Sequence, residues 1–204
     1  MALELILVAS ALALSLALRP WRLLAGGRLL TPLLATLALL PWLWALPALQ
    51  VMPLQLQWSG ACLVLLMLGW PLAVPVLCLT GALAALISPL GASDALHMAA
   101  WLGVVPATLA LGVGAVLRRL LGTHPFSYVL GRAFLGSALC LFAAGVLRQW
   151  SGDVPTGVSS DLSMVARWLT AWGDAVVTGM MTAIFVAYRP QWLATWSDAL
   201  YLRR

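Results

Sequence analysis

Asp94, His97 and Met98 stand at i, i+3 and i+4 at the head of a long apolar segment. That spacing puts a carboxylate, an imidazole and a thioether on one face of a helix, a mixed donor set that suits a transition-metal ion. Asp94 is equally well placed as a helix N-cap, so capping and metal binding both stand. Asp174 lies about one third of the way along the last apolar segment, where an ionisable side chain marks either a functional group or a hydrogen-bonded structural one. Arg132, near the inner end of the sixth segment, is a candidate partner, but the rise per residue sets the two roughly 10 Å apart along the helix axes. His124 beside Pro125 fits helix-start chemistry. Cys62, Cys78 and Cys140 lie singly in apolar runs, without the spacing of a disulfide framework or a zinc site. The chain has no Lys, so the phosphate-cradling G-x-x-x-x-G-K-[ST] loop is absent. With no nucleophile–base pair or acid dyad either, neither enzyme activity nor a bound cofactor is expected. A metal ion would be substrate.

Positioning such groups falls to helices in lipid. Of the 204 residues, 63% are hydrophobic and 8% charged, more apolar surface than a water-soluble globule can hide. Roughly 20 apolar residues of helix cross a bilayer core. Residues 2–18 form the first apolar segment. Glu4 stands where a cleaved signal would carry basic residues, and Arg19, Arg22 and Arg28 follow, so a retained helix is expected. The second, 29–49, contains Pro41 and Pro47; lipid tolerates the lost backbone donors only where neighbouring helices compensate, which turns this helix toward the bundle interior. Gln50, Gln55 and Gln57 make a polar patch. The apolar run 59–87 is too long for one upright helix and holds Gly69, Pro71 and Pro75, so two helices are expected, 58–69 and 72–87. A fifth is expected over 95–117. The sixth, reaching 147, takes Thr123 as cap and Pro125 just inside its start. After a polar loop with Asp153, Pro155, Gly157 and Asp161, a seventh covers 164–188. Gly136, Cys140 and Ala144, with Ala175, Gly179 and Ala183, predict close packing of the last two. In residues 189–204, Trp192, Trp196, Ala199 and Leu200 recur at helical spacing beside Gln191 and Asp198, predicting an amphipathic interfacial helix. Arg189, Pro190, Trp192 and Trp196 are its candidate membrane or partner contacts.

The net charge of +5 comes from eleven Arg against six acids. These arginines sit at segment ends rather than on one exposed face, which argues against nucleic acid as a partner and makes them topology signals. With the N-terminus outside, Arg19, Arg22, Arg28, Arg118, Arg119, Arg189, Arg203 and Arg204 fall on the cytoplasmic side. Arg148 and Arg167 fall outside with Asp94, Asp153 and Asp161, in accord with the positive-inside bias. Fusing the third and fourth segments would break that agreement. The expected fold is an all-α polytopic transmembrane bundle of about seven helices, N-out and C-in, in a bacterial inner membrane. Residues 1–188 form the transmembrane domain and 189–204 a cytoplasmic interfacial tail.

Two stretches, THPFSYVLGRAFLGSALCLFAAGV from Thr123 and WGDAVVTGMMTAIFVAYRPQWLATWSDALYL from Trp172, resemble the proteobacterial energy-coupling factor transporter permeases, distant relatives of the CbiM-like substrate-specific components of cobalt and nickel importers. Gly173, Asp174, Thr178, Gly179, Arg189 and Pro190 occupy the positions of that family's last helix, and residues 58–111 follow its layout more loosely. The resemblance implies a seven-helix component working with a second transmembrane subunit and ATPases. Metal-transporting members begin Met-His and use a further His at the start of the third helix; this chain has Ala2, and Trp58 or Ser59, at those places. Two functions follow as expectations. One is a membrane component of an uptake system, binding a small solute or transition metal through Asp94, His97 and Met98 or through Asp174. The other is a non-transporting subunit that scaffolds a larger membrane complex.

Overall fold

The computed structural model describes residues 1–49, 57–122, 124–152, 159–197 and 201. Gln50, Gln55, the Thr123 cap, Asp153, Pro155, Gly157, Asp198, Ala199, Leu200 and the terminal arginines lie outside the described residues. Among the described residues all regular structure is helical: α1 (Ala2–Ala17), a single turn α2 (Trp21–Leu24), α3 (Leu30–Leu49), α4 (Ala61–Leu68), α5 (Trp70–Ile87), α6 (Ala92–Met98), α7 (Val105–Leu121), α8 (Gly136–Trp150) and α9 (Ser160–Tyr188). A π-helical stretch, Ala99–Val104, joins α6 to α7, and a second, Ser127–Leu135, leads into α8. Among the described residues five helices are long and apolar enough to cross a membrane: Leu30–Leu49, Trp70–Ile87, Ala92–Leu121, Ser127–Trp150 and Ser160–Tyr188. Large apolar side chains such as Leu5, Leu34, Trp42, Leu139, Leu169 and Met180 point outward, as an apolar solvent requires.

Two ends of the bundle can be told apart by their contacts. Ser15 Oγ donates to the Pro71 carbonyl over 2.6 Å, whereas Glu4, at the other end of α1, meets His97 and Trp101. α1 and α5 therefore run antiparallel. Trp44, about 21 Å along α3 by the rise per residue, donates its indole N–H to the Ser59 carbonyl at 3.1 Å and packs beside Gly103. α3 runs unbroken through Pro41 and Pro47. Leu40, Pro41, Trp44 and Ala45 are buried, in keeping with an inward face.

The chain breaks at Gly69 (φ 73°), as the Gly-Pro cluster predicts. The helix before it is shorter than expected. α4 holds 8 residues, all buried, and at about 12 Å of rise it falls far short of a bilayer core. It is apolar on every side because every side meets protein: α3, α5, α7 and α9 all pack against it. The last helix starts earlier than expected, because the Ser159 side chain accepts from the Leu162 N–H and so caps the first turn. α8 and α9 pack closely. Gly136, Cys140 and Ala144 are buried, and so are Ala175 and Gly179, whereas Ala183 is exposed.

The interfacial helix expected over 189–204 is not what the described residues form. After α9 comes one 3-10 turn, Pro190–Trp192, and then chain that folds back under the bundle. The Ala194 and Thr195 N–H groups donate to the Met67 and Leu66 carbonyls at 2.9 and 3.3 Å. Leu193, Trp196 and Tyr201 are buried, with Trp196 and Tyr201 edge-on to the Tyr128 ring. Trp192 instead packs on Phe185, under the Arg189 guanidinium. Of the aromatic residues that looked like a membrane-facing stripe, Trp196 fills the core and Trp192 does not.

Candidate functional site

A helix that ends inside a bundle leaves orphan backbone groups, and in a dry interior each needs a partner. The last carbonyls of α4 find them in the tail after α9, and the turn before α4 is held by α9 itself. Asp174, 2% exposed, accepts through Oδ2 from the Ser59 and Gly60 N–H groups at 2.8 and 3.0 Å. The Thr178 hydroxyl, one turn on, donates to Oδ1 at 3.2 Å. Ser59 Oγ accepts from the Ala61 N–H at 3.2 Å and donates to the Leu102 carbonyl in the first π stretch. Gly60 adopts φ +65°, and a Cβ there would lie 3.0 Å from Leu40 Cδ1 and from the Trp58 ring. At the opposite end of α4, the Leu66 carbonyl also accepts from the Thr195 hydroxyl at 2.9 Å, which pairs with the Tyr128 hydroxyl at 2.7 Å. Asp174 thus holds the two buried amides of the turn that leads into the half-helix. Arg132 is not its partner; that guanidinium lies over the Tyr128 ring at 5.8 Å.

Of the residues expected on the metal-binding face, the structure separates all three. Asp94 is exposed and accepts the Gly91 N–H at 3.0 Å, capping its own helix. Met98 is buried in the apolar core. His97 turns instead to α1: its Nδ1 hydrogen-bonds Glu4 Oε1. Trp101 Nε1 donates to that same oxygen at 3.2 Å, and the Met1 ammonium lies 3.0 Å from Oε2. Glu4 is 9% exposed, so its carboxylate is nearly withdrawn from solvent and held by three groups. Among the described residues no cluster of three or more His, Cys, Asp or Glu could hold a metal ion. Elsewhere, His124 accepts the Phe126 N–H at 3.3 Å, which is helix-start chemistry.

No protein-family model, curated protein or solved structure matches this chain. Its chemistry must be argued from its own geometry.

Glu4, Trp101, Ser59 and Thr195 escaped the sequence reading because their partners lie far along the chain. One signal was present: an acid four residues into an apolar helix needs a donor, and His97 and Trp101 share one helical face. A double-mutant cycle of Glu4→Gln and His97→Ala, read by unfolding of the detergent-solubilised protein, is expected to give a coupling of roughly 0.5–3 kcal/mol. Additive losses would mean that the contact contributes nothing.

Proposed function

We propose that this chain is the substrate-specific membrane component of an energy-coupling factor type uptake system, resident in a bacterial inner membrane. In this reading the N-terminus is outside, the C-terminus is cytoplasmic, and the chain crosses seven times. α4, placed between α3 and α5 in the chain, would supply part of a return crossing. The Glu4–His97 pair carries the functional reading. A carboxylate and a partly exposed imidazole from two helices meet at one end of an apolar bundle, where ionisable side chains mark candidate ligand sites. Oxygen and imidazole nitrogen together suit a divalent transition-metal ion such as cobalt or nickel. The pair lies at the end of the bundle that the arginine count places outside, where an imported solute arrives. Two side-chain donors leave most of a metal's coordination positions to water, which suits an ion that must be released again. Drive would come from partners, an ATPase and a second transmembrane subunit, because the chain carries no nucleotide-binding loop. The role is binding and passage, with no catalysis and no resident cofactor.

Calorimetric titration of the purified protein with Ni²⁺ and Co²⁺ tests this. Binding of about one ion per chain is expected, weakened about tenfold or more in Glu4→Gln and in His97→Ala, since tenfold corresponds to about 1.4 kcal/mol of lost interaction. Equal and negligible binding in all three proteins would sink the metal reading. It would favour a non-transporting subunit that scaffolds a larger complex, a reading supported by the complete use of Asp174 in holding α4. Copurification with an ATPase points to transport, and an intact complex without one points to the scaffold.

A further inference from the structure

At the Tyr128 end of the bundle, the last turns of α7 and the second π stretch border a shallow, half-open notch lined by Gly114, Arg118, Ser127, Tyr128, Arg132 and Tyr201; its interior has room for about one water, so an anion would sit at its mouth. Its chemistry is one-signed. Two guanidinium groups face it, and among the described residues neither forms a salt bridge with an acid. Arg132 is held in place from two sides, over the Tyr128 ring at 5.8 Å and against the bare backbone of Gly114, where a Cβ would lie 2.6 Å from Nε. That Nε is buried and has no acceptor among the described residues. Arg118 is exposed and closes the outer side. One guanidinium held by the ring and the glycine, beside one that is exposed, forms a donor pair that matches tetrahedral phosphate oxygens better than any neutral ligand. The notch opens where two membrane-crossing rods end, the depth at which basic recesses between helices meet lipid headgroups.

We propose that Arg118 and Arg132 bind a phosphate group, presented either by an anionic phospholipid headgroup or as free phosphate. The proposal is independent of any metal bound at the Glu4 end. It is tested on the full chain in mild detergent, reading the thermal unfolding midpoint. One arm adds phosphatidylglycerol, with phosphatidylcholine as comparison; the other adds inorganic phosphate, with chloride at matched ionic strength. The wild type is expected to gain several degrees. Phosphatidylglycerol alone producing the gain identifies a headgroup site, inorganic phosphate alone a soluble phosphate site, and both together a site that takes either. Arg118→Gln and Arg132→Gln lose at least half of the gain, while Arg22→Gln, an exposed arginine outside the notch, keeps it. If Arg132→Gln does not fold, Arg118→Gln decides alone. No gain with either probe, an undiminished gain in the Arg118 variant, or an equal loss in Arg22→Gln overturns the proposal.

Discussion

Asp174→Ala is expected to cost roughly 2–6 kcal/mol of stability, because it strands two buried amides, those of Ser59 and Gly60, at about 1–3 kcal/mol each. Both amides converge on one oxygen, Oδ2. Asp174→Asn keeps an acceptor oxygen at that place and an amide that can meet the Thr178 hydroxyl, so its loss should be less than half as large. Unfolding followed by circular dichroism in mixed micelles measures both. Hydrogen exchange adds a local readout, with the Ser59 and Gly60 amides losing protection in the Ala variant while α8 keeps its own. An Ala variant as stable as wild type would mean that the carboxylate does not hold the turn into the half-helix. An Asn variant as damaged as Ala would show that the negative charge, rather than an acceptor, holds the half-helix.

The second large effect is expected at Gly60. Substitution by Ala forces an L residue to φ +65° and places a methyl 3.0 Å from Leu40 and Trp58. Left-handed strain costs about 1–2 kcal/mol and overpacking typically about 1–3 kcal/mol, so Gly60→Ala should lose roughly 2–5 kcal/mol. Leu40→Ala on that background should recover part of the overpacking loss and none of the strain. The comparison uses the same micelle unfolding assay, with Gly112→Ala, a site with nothing within 4 Å, as control. A neutral Gly60→Ala would mean that the turn into α4 is not fixed as described.

What could be read from the sequence was what depends on neighbours along the chain. The apolar runs, the break at Gly69 and Pro71, and the small-residue seam of α8 and α9 all follow from local spacing. What was lost depends on distant partners. A run such as 58–69 looks the same whether it faces lipid or protein, and only packing on α3, α5, α7 and α9 distinguishes the two. The tail misled for the same reason, since Trp192 and Trp196 have the spacing of a membrane stripe although Trp196 fills the core. At the site, the i, i+3, i+4 pattern correctly put Asp94, His97 and Met98 on one short helix. It could not show that Asp94 bonds Gly91, that Met98 is buried, or that His97 reaches Glu4.

Both ends of α4 wait on later chain. The Ser59 amide is separated from Asp174 by 115 residues, and the Leu66 carbonyl from Thr195 by 129. During synthesis the half-helix is therefore made long before anything can satisfy its polar ends, and contacts of such separation form late. The centre of the bundle closes only when α9 and the segment after it have been made.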